Sequence, residues 1–195
     1  MDGRNVARLV RVAVALAVAS WVTPLSATTL VRAGLEELTA ANHTVVMGEV
    51  LETRSYWNVE GTFILTDVRI APIELLKGHL RQGEITVTVM GGTVGDLTTL
   101  IVGGAELVPG RSYLVFLNRE NLPGAKGVLT VRDHGQGVFD IVASADGLRA
   151  VSQVRIPLLP DARGLSEPPG GVDGLPLGAM LDSIRGLAGE REVQR

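Results

Sequence analysis

The chain of 195 residues contains no cysteine. That absence excludes disulfides, thiolate nucleophiles and thiolate metal sites together, so the fold has to be held by packing alone. Histidine is nearly as scarce: His43, His79 and His134 stand far apart, with no H-E-x-x-H or H-x-H spacing. A zinc site without cysteine needs three or four imidazoles and carboxylates in close spacing, so neither a metal nor any other cofactor is expected. An excess of one charge is missing too. Eighteen Lys and Arg against 21 Asp and Glu leave a formal net charge of -3, which is neither the basic surplus of a nucleic-acid binder nor an acidic tail.

Catalytic signatures are absent in the same way. There is no G-x-S-x-G elbow, and GGTVGD from Gly91 lacks the lysine and the following helix of a phosphate loop. Its glycines are expected to serve positive-φ turns. Asp133-His134 is the one sequence-adjacent acid and imidazole, but no nucleophile motif accompanies it, and its neighbouring glycine suits a polar turn between strands. The chain is therefore not expected to be an enzyme, and a hydrolase built on Asp133 and His134 is the least favoured reading.

What is present begins at the N-terminus. Arg4, Arg8 and Arg11 precede the apolar run Val12 to Val22, and Pro24, Leu25, Ser26 and Ala27 follow it. A basic segment, an apolar core and a small residue at a cut after Ala27 make a secretory signal over residues 1–27. The alternative is an uncleaved anchor in the inner membrane, since no charge falls between Arg11 and Arg32. Cleavage removes Arg4, Arg8, Arg11 and Asp2, leaving 15 basic and 20 acidic side chains and a net charge of -5. An exported domain without cysteine fits a bacterial periplasmic or secreted protein better than a eukaryotic one.

The remainder is long enough for one domain. GLEELTAAN from Gly34 places Leu35, Leu38 and Ala41 at helical spacing, with Glu36 and Glu37 in the first turn. Strands are expected at His43 to Glu52, Gly61 to Ala71, Glu84 to Met90 and Ser112 to Leu117, with a weaker extended piece at 97–102. Further short ones are expected at 127–132, 137–142 and 148–154. SYLVFL, apolar on both faces, reads as a central buried strand. SYWNVE from Ser55 to Glu60 reads as a loop. Residues 157–176 form a Pro/Gly-rich strap after a β-barrel domain spanning 28–156. In the last segment, 177–190, Leu177, Met180, Leu181, Ile184, Leu187 and Ala188 make one apolar helix face.

TVVMGEVLETRS, TDVRIAPIELLKG, ITVTVMGGTVG and LVPGRSYLVFL, in that order, resemble a group of uncharacterised bacterial exported proteins. They are also similar to the netrin-like module of tissue inhibitors of metalloproteinases, with Leu76-Lys77-Gly78 at the matching strand end. The resemblance implies a mainly β fold: an OB-type, five-stranded Greek-key barrel with a short N-terminal helix and a C-terminal helix. Those inhibitors act through an N-terminal cysteine. Here the mature start is Thr28, so that device has no counterpart.

Binding rather than chemistry is the expected role, as an exported non-catalytic protein-binding module, in an inhibitor-like form with an exported protease as partner. Tyr56 and Trp57 are half of the Tyr and Trp residues in the chain, and aromatic residues dominate interface energetics. With Asn58 and the Gly91, Gly92, Thr93 turn they form the expected partner-binding set, although for Trp57 itself folding back over a barrel end is the slightly favoured alternative. The alternative is a structural envelope component assembled through its C-terminal helix. Neither nucleic acid nor, after signal cleavage, a membrane is expected as a partner.

Overall fold

The computed structural model describes residues 33–80, 83–131, 134–154 and 174–192. The signal with its cut at Ala27, Asp133 and residues 157–173 of the strap lie outside them. Helix α1 (Leu35–Ala41) is followed by strands β1 (Thr44–Trp57), β2 (Ile64–Lys77), β3 (Ile85–Met90), β4 (Gly92–Val94), β5 (Leu97–Thr99), β6 (Ser112–Leu122) and β7 (Ala125–Val131). A 3-10 turn (His134–Gly137), β8 (Val138–Ser144), β9 (Gly147–Ser152), β10 (Leu175–Pro176) and helix α2 (Leu177–Glu192) complete the described chain.

Eight strands join one antiparallel sheet in the order β10-β9-β8-β6-β1-β2-β3, with β7 also on β6; β4 and β5 make a separate hairpin. β7 and β8 share one edge of β6, β7 along Leu117 to Leu122 and β8 along Tyr113 to Val115. β1 is shared as well, pairing with β6 from Thr44 to Glu49 and with β2 as far as Trp57. Three register shifts interrupt the β1–β2 ladder, between Val45/Val46, Met47/Gly48 and Val50/Glu52. Such irregularities bend a strand and increase its twist, which is how one strand serves both halves of a curled sheet. Gly48 permits the bend, because a Cβ there would stand 2.5 Å from Ile70 Cγ2 and 2.7 Å from the Ala71 carbonyl.

The curl brings β3 and β7 within 8 Å of each other, measured between Cα atoms. Counting the antiparallel steps through β2, β1 and β6 makes these two strands parallel. No ladder joins them among the described residues, so the sheet is not closed by hydrogen bonds, and it has eight strands where five were expected. The architecture is mainly β, with a short helix ahead of the first strand and a longer one at the C-terminal end.

Alternation along the central strand builds two cores. Tyr113, Val115 and Leu117 enter the cluster inside the curl with Val46, Val50, Val68, Ile70, Val87 and Val138. Leu114 and Phe116 enter the opposite one with Leu38, Val45, Phe139, Met180 and Ile184. A period of two on a strand covered on both faces produces the uninterrupted apolar run of SYLVFL. Phe116 and Phe139 pack tilted, with ring centroids 5.9 Å apart. Leu177, Met180, Leu181 and Ile184 of α2 are buried in the second cluster, so the C-terminal helix docks on its own sheet.

The L-K-G motif has a structural task. Lys77 Nζ donates to the carbonyls of Thr39 (2.5 Å) and Asn42 (2.7 Å), placing an ammonium at the C-terminal end of α1. Asn118 from β6 supports the same end: its amide donates to Ala41 O and Asn42 Oδ1, and its Oδ1 accepts from His43 N. That oxygen also lies 2.6 Å from His43 Nδ1, so the ring proton sits on Nδ1, because Asn118 Oδ1 can only accept. Asn42 is buried and its amide donates to Leu38 O.

Candidate functional site: the turns at one end of the sheet

Ser55, Tyr56 and Trp57, expected in a loop, are the last residues of β1, opposite Thr66, Leu65 and Ile64. The β1–β2 hairpin is longer than its hydrophobic pattern shows because residues 51–57 pair regularly with β2 beyond Glu52 but bury neither face, so no apolar alternation marks them. The connecting turn is only 58–63, and Asn58 holds it. Asn58 Oδ1 accepts from the backbone N–H of Thr62 (2.8 Å) and Phe63 (3.0 Å), while Nδ2 donates to Thr62 Oγ1 and to Pro123 O in the neighbouring β6–β7 turn. Asn58 is buried, so it positions the turn and offers nothing to solvent.

The two segments selected separately in the sequence meet here. Gly91 N–H donates to Ile64 O (2.9 Å), the residue paired with Trp57. Thr66 Oγ1 donates to Gly91 O (2.7 Å), which leaves Ser55 Oγ as donor in its 2.8 Å bond to Thr66 Oγ1. Ser55 Oγ in turn accepts from Thr93 N–H at 3.3 Å. The result is a one-directional relay from Thr93 through Ser55 and Thr66 to Gly91, in which each bond polarises the next. Gly92 fits over it only as glycine: φ is +125° and a Cβ would overlap Thr66 Oγ1 and Ser55 Oγ. Thr93 Oγ1 and Thr98 Oγ1 add a 2.9 Å bond across the β4–β5 hairpin.

Several apolar side chains are exposed around this scaffold. Trp57 is 40% exposed, so it does not fold back completely over the sheet end, and Val59 in the following turn is 90% exposed. Beyond β5, Leu100 (86%) and Val102 (97%) stand in solvent, while a Cβ on Gly91 would lie 3.2 Å from Ile101 Cγ1 between them. Leu97 is exposed as well. The segment 97–102, expected as a weak strand, pairs only from Leu97 to Thr99. Val59, Leu97, Leu100 and Val102 are marked in the sequence only as aliphatic residues falling in turns instead of in an alternating run, and Ser55 and Thr66 carry no local signal of their pairing.

Tyr56 extends the polar part of the site. Its hydroxyl donates to Asp67 Oδ1 (3.1 Å), which also accepts from Thr88 Oγ1 (2.7 Å). Burial, and then the Asp67 carboxylate, push the Tyr56 phenol above its usual value. His79 is exposed after β2. Among the described residues no three of His, Asp or Glu are grouped to hold a metal, and no helix is long and apolar enough to cross a membrane. No protein-family model matches the chain, and no curated protein matches it.

Proposed function

We propose that this chain is an exported, non-catalytic protein-binding module whose contact surface is the sheet end bearing Trp57 and the GGTVGD turn. The observation that carries the reading is the Ser55–Thr66–Gly91 network, which ties the β1–β2 and β3–β4 turns together while Trp57, Val59, Leu97, Leu100 and Val102 remain exposed. Single exposed apolar residues are ordinary, but a set gathered at one end of a domain marks an interaction site. A rigid scaffold under the turns keeps the entropy lost on binding low.

The same proposal takes the curled sheet as an OB-type, netrin-like barrel left open at the β3–β7 seam. Supporting it are a first strand shared between β2 and β6 and a parallel approach of β3 to β7. Under this reading the partner is an exported protease, and contact runs through Trp57 and the Leu100 to Val102 turn instead of a zinc-directed N-terminus. Export rests on residues 1–27. Assembly through the C-terminal helix is less favoured, because the apolar face of α2 is used on its own sheet.

The test is a titration of purified 28–195 against exported zinc and serine proteases, in parallel with Trp57→Ser and Leu100→Ser. A stoichiometric loss of protease activity that both substitutions weaken tenfold or more, with circular dichroism unchanged, is the expected result. Undiminished protease activity at micromolar excess, or inhibition indifferent to both substitutions, overturns the reading.

A further inference from the structure

We infer that α2 is a reversible latch, a helix that leaves and re-enters its groove while the sheet stays folded. Its anchoring is one-sided and fades along its length. Leu177, Met180, Leu181 and Ile184 are buried, whereas Leu187 and Ala188 are only half-buried. The groove belongs to α1, β2 and β9, which pack against the helix and contribute Leu38, Leu76 and Ala150 to the same cluster.

The helix itself is intrinsically weak, and packing does not require that weakness. Gly178, Gly186 and Gly189 fall within its sixteen residues, and a Cβ built on any of the three would meet nothing within 4 Å. Each is exposed and has no positive φ. Glycine inside a helix costs up to about fivefold in the folding equilibrium relative to alanine, so three sites that accept alanine without a clash leave the helix dependent on its docked face for order. Its first turn carries no acidic residue to favour the helix dipole. The ion pairs of Arg185 with Glu74 and Asp182 are exposed, where such pairs hold weakly. β10 pairs Leu175 and Pro176 with Ala150 and Arg149 of β9 and runs directly into Leu177, so α2 leaves by hinging at the Pro176–Leu177 junction while β10 stays on the sheet.

Opening the latch uncovers an apolar groove shaped for one amphipathic helix, and the occupant in the closed state is the chain's own α2. Stabilising the helix shifts that equilibrium without touching the sheet, which separates a latch from an ordinary structural helix.

Amide hydrogen exchange of mature 28–195, compared with Gly186→Ala/Gly189→Ala, tests the inference. The α2 amides are expected to exchange at least a hundredfold faster than those of β1 and β6, and the double substitution to slow α2 by about thirtyfold with β1 and β6 unchanged. Exchange of α2 together with β6 as one unit, or equal slowing of both, overturns the latch. Because the chain has no cysteine, Ile184→Cys offers a second readout against Val115→Cys. Both native side chains are within 1% of full burial, and thiol labelling in native buffer must be far faster at position 184; equal rates overturn the latch.

Discussion

Gly92→Ala isolates the physical basis of the turn scaffold. At φ +125° an L-residue lies outside its ordinary wells, at a cost of about 1–3 kcal/mol. The added methyl also overlaps Ser55 Oγ and Thr66 Oγ1, and relief by rotating Ser55 sacrifices its bonds to Thr66 and Thr93, each worth about 1 kcal/mol. The expected loss is about 3–5 kcal/mol. Gly95→Ala in the same hairpin is the control: its φ is +59° and a Cβ there meets nothing within 4 Å, so left-handed strain of about 1 kcal/mol is all it adds. Urea denaturation of the two variants beside the parent protein measures both, and the melting temperature should fall by about 2–4 °C for each kcal/mol in a domain of this size. If Gly92→Ala is no more destabilising than Gly95→Ala, the close packing of Gly92 on Ser55 and Thr66 does not exist in solution and the joined-turn site goes with it.

Phe139→Ala, which empties a fully buried position against Phe116, is expected to cost about 3–5 kcal/mol in denaturant unfolding; a loss under 1 kcal/mol contradicts the second core. Asn58→Ala removes acceptors from two turn N–H groups and is expected to cost about 1–3 kcal/mol, with amide protection of Thr62 and Phe63 lost first. Tyr56 and Tyr113 are the two tyrosines of the chain, and burial raises both phenols above the usual value. A phenol with a raised folded pKa stabilises the fold fully below its unfolded value, near 10, and that contribution disappears as pH rises through the folded value. Ultraviolet titration should therefore place both transitions above 10, with stability falling across that range. Asp67→Asn should lower the Tyr56 transition alone; a transition at or below 10 in the parent protein refutes the burial argument.

Much of the architecture is local and was therefore legible in the residues. The alternation of Ile85, Val87 and Val89, the two-faced run SYLVFL, and the spacing of Leu177, Met180, Leu181 and Ile184 each report burial through backbone periodicity, and those elements start where the pattern puts them, with β6 running five residues past SYLVFL to Leu122. The extent of β1 was hidden. None of Leu51 to Trp57 is buried, and a two-residue period cannot reveal a strand that buries neither face. The turn site was half legible: aromatic residues and glycines marked positions 56–58 and 91–93, but nothing in sequence order related them.

Sequence alone determined the mainly β class with a helix near each end of the described chain, the reliance on packing that follows from having no cysteine, and the need for positive-φ glycines in GGTVGD. The tertiary structure decided which strands are neighbours, that the sheet stays open between β3 and β7, and that Asn58 is a turn anchor while Trp57 remains exposed. It also decided that α2 spends its apolar face on its own chain. The division has a physical cause: propensity and periodicity act over a few residues, whereas a hydrogen bond from Thr66 to Gly91, or from Lys77 to the end of α1, joins groups 25 or more positions apart and exists only once the sheet has curled.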